Sequence, residues 1–328
     1  MTSCFEDQLS TFIFSEKMLL ISLPPIVILL LSSSYPLVVT NCLCQLLVFL
    51  FLAHIPALLT GRMSYVDLAW PWGLVVLGLT PLISGFPEAW NLRMIMVMSA
   101  YVLAGLRMGL GAITLAILGH LKNELPRYQY QRIRWARRGV TEETKLRYQI
   151  TLQREILIQC LANMGVLATP LMLQLSGYLT GSLTMLEYFG WTMWLISFGF
   201  EHLADMQKIN FLKECKKKNI RNSTCKVGLW QYCRHPNYFG EWMVWNSLVV
   251  TSIPSLLAML KVGEEEWYTK GGLILGLLSV SWAMYQCLVN YTGVKPSEHY
   301  SSQKRPDYKE YQSNVNMFFP GPRRRAQE

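Results

Sequence analysis

Eight stretches of this chain run almost without charge: Met18–Ser32, Pro36–Thr60, Val66–Ser84, Met94–Gly119, Ile156–Leu179, Leu183–Leu203, Tyr238–Leu260 and Gly271–Tyr291. They are continuous blocks, not the amphipathic stripes of soluble helices. About 20 apolar residues carry a helix across the hydrocarbon core of a bilayer, and inside lipid a helix satisfies its own backbone polar groups. The expected fold is therefore all-α, a polytopic bundle of 7–8 spans, the first block being short and holding Pro24-Pro25. Trp70-Pro71-Trp72 fits an aromatic belt at a membrane interface. The leader MTSCFEDQLSTFIFSEK carries Glu6, Asp7 and Glu16 where a signal peptide has basic residues, so no cleaved signal is expected.

The net charge of +9 raises the question of nucleic acid, and its distribution answers it. With eight spans, residues 1–17, 61–65, 120–155, 204–237 and 292–328 share one face. Of the 30 Lys and Arg, only Arg93, Lys261 and Lys270 fall on the other face, and Arg107 falls within a span. The positive-inside rule makes the basic face, with both termini, cytosolic. A basic surface beside anionic membrane lipids accounts for the charge without nucleic acid. The eight cysteines include no C-x-x-C pair, and those in loops lie on the reducing side, so free thiols are expected. Cys225, Cys233 and His235 match no usual zinc spacing, and no metal is expected. The sequons at Asn222 and Asn290 lie at the cytosolic face and are expected unmodified.

No internal repeat is visible. Residues 1–60 read as N-terminal spans and 61–328 as the functional membrane domain with a cytosolic tail. The basic loop His120–Gln149 is expected to form a surface-lying helix, with Tyr128, Ile133 and Trp135 resting in the headgroups. In the tail, NMFFPGP is apolar enough to fold back onto the bundle.

Several charges sit where a membrane helix should have none: Asp67, Arg107, Glu201 and Asp205, with His202 beside them. A charge at mid-bilayer costs at least ~2.5–3.5 kcal/mol on insertion scales, so it faces a partner or a cavity. Asp67 pairing with Arg107 is the simplest structural account. Glu201 and Asp205, spaced i, i+4, share one helical face at the cytosolic end. The segment GLWQYCRHPNYFGEWMVW then gathers polar groups at the start of another span. Arg234 offers a fork of donors suited to phosphate. Pro236 sets a turn, Asn237 can cap a helix beginning at Tyr238, and that N-terminus with Arg234 and His235 makes an anion site. Glu241 lies one turn further on the face of Asn237, where it can accept from a ribose hydroxyl or an amide. A capped interfacial helix would explain Asn237 but not Glu241.

This segment resembles the signature of the steroid 5α-reductase-like superfamily, and most nearly its polytopic branch carrying RHPNYFGE. YVDLAWPWG, LRMGLGAITLAILGHLKNELPRYQ, FEHLADMQKINFLKE and RPDYKEYQSNVNMFFP agree in order, so the resemblance covers about Tyr65 to Pro320. It implies a helical bundle with an NADPH site open to the cytosol. Asn237 and Glu241 would hold the nicotinamide end, and Asp205 and His299 would line the same pocket. Arg127, Tyr128, Lys208 and Arg234, with His235 and Tyr238 beside them, would serve the phosphates and adenine ribose. The reaction implied is reduction of an activated C=C bond in a lipid or steroid-like substrate. The membrane expected is the endoplasmic reticulum for a eukaryotic source and the inner membrane for a bacterial one. The Tyr–Glu pair that grips the carbonyl in the steroid reductases has no match here, and Asp67 and Tyr101 are the candidates for its place. GLGAIT is not a dinucleotide fingerprint, and Gly105 and Gly109 are expected to let helices approach. Two other readings remain open. One is an S-adenosylmethionine-dependent methyltransferase like the isoprenylcysteine and phospholipid enzymes, which share RHPxYxG. The other is a non-catalytic lipid-binding protein.

Overall fold

The computed structural model describes residues 18–27, 35–85, 90–262 and 266–323; the N-terminal leader, the end of the first apolar block and residues 324–328 lie outside them. Among the described residues every regular element is helical. In chain order these are α1 (Met18–Val27), α2 (Tyr35–Phe49, continued by a π-turn and Ile55–Thr60), α3 (Val66–Ser84) and α4 (Leu92–Ile117). Then come α5 (Pro126–Ala136), α6 (Lys145–Met164), the short α7 (Thr169–Leu175) and α8 (Met185–Lys217). The last are α9 (Pro236–Val262), α10 (Trp267–Tyr285, continued by a π-turn over Gln286–Tyr291), α11 (Val294–Lys304) and α12 (Tyr308–Asn314).

Among the described residues, six helical stretches are long and apolar enough to cross a membrane: Tyr35–Thr60, Val66–Ser84, Leu92–Ile117, Lys145–Leu175, Pro236–Lys261 and Trp267–Lys304. This differs from the eight apolar blocks in two places. The described part of the first block is a ten-residue helix. All but the first two residues of the sixth block lie in α8, whose 33 residues run about 50 Å at 1.5 Å each, but which carries Glu187, Glu201 and Asp205.

Local chemistry sets the ends. Asn91 caps α4 by accepting from the Met94 amide at 3.1 Å. Thr184 and Glu187 close a capping box at the start of α8. Arg93, expected in a loop, is instead 1% exposed. Its guanidinium pairs with Glu187 and donates to the Leu179 carbonyl at 2.6 Å, which fastens α4 to α8.

Small residues decide how closely the spans approach. A Cβ on Gly105 would stand 2.6 Å from the Pro71 carbonyl oxygen, and one on Gly109 3.1 Å from the Trp72 indole, so α3 and α4 touch through these glycines as expected. A Cβ on Gly240 would meet the Glu201 backbone at 2.9 Å, so α8 and α9 lie backbone to backbone there.

The first basic loop is bound more tightly than a surface-lying helix would be. Tyr128 and Trp135 are buried with Phe49, Ala69 and Leu152 instead of resting in headgroups, while Ile133 is exposed. Buried Arg134 donates to the Asn290 and Tyr291 carbonyls at 3.0 and 3.3 Å, closing the end of the π-turn after α10. The tail folds back as its composition suggests. Phe318 is buried against Phe239, Trp242 and Tyr285, and the Arg234 amide donates to the Asn316 carbonyl at 2.9 Å.

Candidate functional site

The RHPNYFGE segment starts its helix at Pro236, so Asn237 stands within the first turn and does not cap it. The Asn237 side chain instead hydrogen-bonds the Asp205 carboxylate of α8. Its Oδ1 is left buried with no hydrogen-bond partner among the described residues. Glu241, one turn on, is half-buried and makes no hydrogen bond or ion pair among them. It lies within electrostatic reach of Arg107, Asp205 and Arg127.

Arg107 does not pair with Asp67. It reaches from α4 to the two carboxylates of α8, with Nη1 at 2.5 Å from Glu201 and Nη2 on Asp205. The i, i+4 spacing read from the sequence is what lets one guanidinium bind both. The close approach at Gly240 brings Glu241 beside them, so three carboxylates surround one arginine. Asp67, in the first turn of α3, accepts from the Tyr128 hydroxyl at 2.5 Å and faces Arg127 at 3.7 Å. Arg127 in turn lies near Tyr238 and Glu241, so the start of α5 reaches the start of α9.

A basic corner completes the cluster. The Lys208 ammonium sits 4.1 Å from the Trp230 ring centroid, with Arg305 close by. Burial first and Arg305 second push the Lys208 pKa down to about 8. Two cations held together in a half-buried place are a standing invitation to an anion. Arg305 escapes sequence reading because QKRPDYKEY looks like any solvated tail.

Arg234 is used differently from the expectation of a phosphate ligand. Its Nε donates to Glu298 at 2.6 Å and its Nη1 to the Gln312 and Val315 carbonyls, both at 2.8 Å. The guanidinium is a clamp for the tail. His235 shares Glu298 at 3.2 Å and stacks on Tyr238 at 5.4 Å between centroids. Burial outweighs Glu298 and holds the His235 pKa below its usual value, so the ring is neutral at pH 7. The Tyr238 hydroxyl lies 3.4 Å from Ser297 Oγ. His299 packs 4.9 Å from the Tyr130 ring, and its Nε2 lies 3.1 Å from the Gln303 amide nitrogen. Tyr101 belongs to the core: its hydroxyl donates to the Leu167 carbonyl at 2.5 Å and its ring packs edge-on to Trp245.

Cys233 donates to the Phe318 carbonyl at 2.9 Å, and among the described residues no group of three or more His, Cys, Asp or Glu is arranged to hold a metal ion. Starting at Phe239 and Gly240, a groove of ≈ 260 Å³ between α8 and α9 is lined by Phe189, Ile196, Phe200 and Met243 among others. It offers hydrocarbon surroundings beside the polar cluster.

Fold and cluster together define a helical membrane protein whose charged side chains converge at the mouth of its spans. The chain belongs to the family described as "Protein of unknown function (DUF1295)", which matches residues 53–315 and is a family of the steroid 5α-reductase-like superfamily. No curated protein and no solved structure matches it.

Proposed function

We propose that this chain is a membrane-embedded, NADPH-dependent reductase of an activated C=C bond in a lipid or steroid-like substrate. The observation that carries the reading is the buried Asn237 Oδ1, without a hydrogen-bond partner among the described residues, one helical turn before a Glu241 carboxylate that makes no hydrogen bond or ion pair among them. A buried acceptor without a donor is rare, and a carboxamide N–H₂ such as that of nicotinamide supplies the donor both groups lack. When bound, NADPH supplies hydride equivalents to the electrophilic carbon of the double bond.

The chain's own residues bind and orient. Arg107 fixes Asp205, and Asp205 holds the Asn237 amide so that Oδ1 points away from it. Lys208, Arg305 and Arg127 provide cations for phosphate groups, with Tyr238 and His299 as flanking rings. Of the proton-donor candidates, Asp67 stands at this cluster and orients Tyr128 and Arg127, whereas Tyr101 is a packing residue. The apolar groove at Phe239–Gly240 suits the hydrocarbon part of a substrate and keeps water from it. In this reading the basic loops face the cytosol, the bundle has seven or eight spans with both termini on that side, and the membrane is the endoplasmic reticulum.

Thermal unfolding of the purified protein with added nucleotide tests the binding step. A ligand at a hundredfold excess over its Kd stabilises by ~2.7 kcal/mol. NADPH is expected to raise the melting temperature. Asn237→Ala and Glu241→Gln should each weaken binding about tenfold, the scale of one hydrogen bond to a charged or buried group; melting without nucleotide should stay unchanged for Glu241→Gln and fall for Asn237→Ala, which also loses its hydrogen bond to Asp205. Stabilisation by S-adenosylmethionine and not by NADPH would replace this reading with the methyltransferase one. NADPH binding without its oxidation across a panel of enones and unsaturated acyl lipids would favour the lipid-binding one.

A further inference from the structure

A second cavity lies deeper in the bundle, where α1, α3, α6 and the π-turn after α10 meet. It measures ≈ 40 Å³, and its wall includes Met18, Trp70, Glu155, Gln159, Cys287 and Tyr291. The wall is mostly apolar, with one polar side. There the Tyr291 hydroxyl donates to the buried carboxylate of Glu155. Beside them the Gln159 side-chain nitrogen, Nε2, is buried with no hydrogen-bond partner among the described residues.

The backbone is shaped for this arrangement. Gln286–Tyr291 is a π-turn, a feature that interrupts helices mostly at functional positions. It turns Cys287 and Tyr291 into the same cavity, and Arg134 binds the carbonyls at its end. The polar side is therefore rigid, whereas Met18 and Met284 on the apolar side are flexible, gap-filling side chains that can part for a ligand. An N–H₂ donor in such a place calls for an acceptor oxygen that the described residues do not supply.

We infer that this cavity receives the polar end of an apolar molecule, whose carbonyl or hydroxyl oxygen accepts a hydrogen bond from Gln159 Nε2. The volume suits one small oxygen-bearing group, with the hydrocarbon body lying between the surrounding apolar side chains. The site stands whether or not the protein binds nucleotide. An internal water is the competing occupant, since one needs only about 10–15 Å³ of such space and two or more polar partners.

The test is photolabelling of the full chain in lipid nanodiscs, without nucleotide. It compares a diazirine-bearing long-chain 2-alkanone with the alkane of equal length carrying the same diazirine. The ketone should label peptides of α6 and the π-turn about tenfold more than the alkane, the discrimination expected from one buried hydrogen bond. Gln159→Met, which keeps the side-chain length and removes the donor, should erase that advantage and leave alkane labelling unchanged. Equal labelling by ketone and alkane in the wild-type protein overturns the inference and leaves water as the occupant. So does a ketone advantage that survives in Gln159→Met. Should that variant fail to fold, the wild-type comparison decides alone.

Discussion

Arg107 is the residue whose removal should be felt most sharply. Its fork binds Glu201 at 2.5 Å, where the two side chains are 15% and 7% exposed, and Asp205, which is 38% exposed. Removing one partner of a buried ion pair costs 3–5 kcal/mol, because the other charge stays buried and unpaired. An exposed pair is worth about 0–1 kcal/mol. The Glu201 arm therefore dominates, and water reaching Asp205 puts the total at the low end, about 3 kcal/mol for Arg107→Leu. Reversible unfolding in mixed micelles would measure it. If the loss comes from the stranded carboxylate and not from missing guanidinium contacts, Arg107→Leu with Glu201→Leu should recover more than half of it. A loss below about 1 kcal/mol for the single variant, or a double variant no more stable than the single, would refute the assignment of Arg107 as counter-ion to α8.

Two further outcomes follow from the geometry. With Lys208 titrating near pH 8, its charge is present below that pH and lost above it, so NADPH affinity should fall as pH rises through about 8; Lys208→Arg should flatten the profile in a binding titration. Gly240→Ala places a methyl group 2.9 Å from the Glu201 backbone, an overpacking expected to cost about 1–3 kcal/mol and visible as a lowered melting temperature.

The apolar blocks gave away most of the spans, because a bilayer demands runs of uncharged residues whatever their neighbours. Val66–Ser84 coincides with α3 to the residue. Block ends were less legible. α6 begins at Lys145 inside the basic loop, and α8 continues to Lys217, because a helix can run on from an apolar stretch as a polar helix that hydropathy does not mark. At the site, the i, i+4 carboxylates and the pairing of Asn237 with Glu241 could be seen as a shared face. The partners could not. Nothing in the spacing tells that Arg107 spans to α8 while Asp67 takes Tyr128 and Arg127, or that Arg305 comes to lie beside Lys208. Arg234 looked like a phosphate ligand because a free guanidinium at a helix start is one; the carbonyls that occupy it come from a tail some 80 residues later.

That last contact sets an order of events in biosynthesis. The turn before α9 is held in shape by Glu298, Gln312, Val315 and Asn316, which are translated 64 to about 80 residues after it. While those residues are still being added, α9 and α10 can already be inserted and yet the polar cluster lacks its buttress. The mouth of the bundle is thus finished only once the chain through Asn316 has left the ribosome.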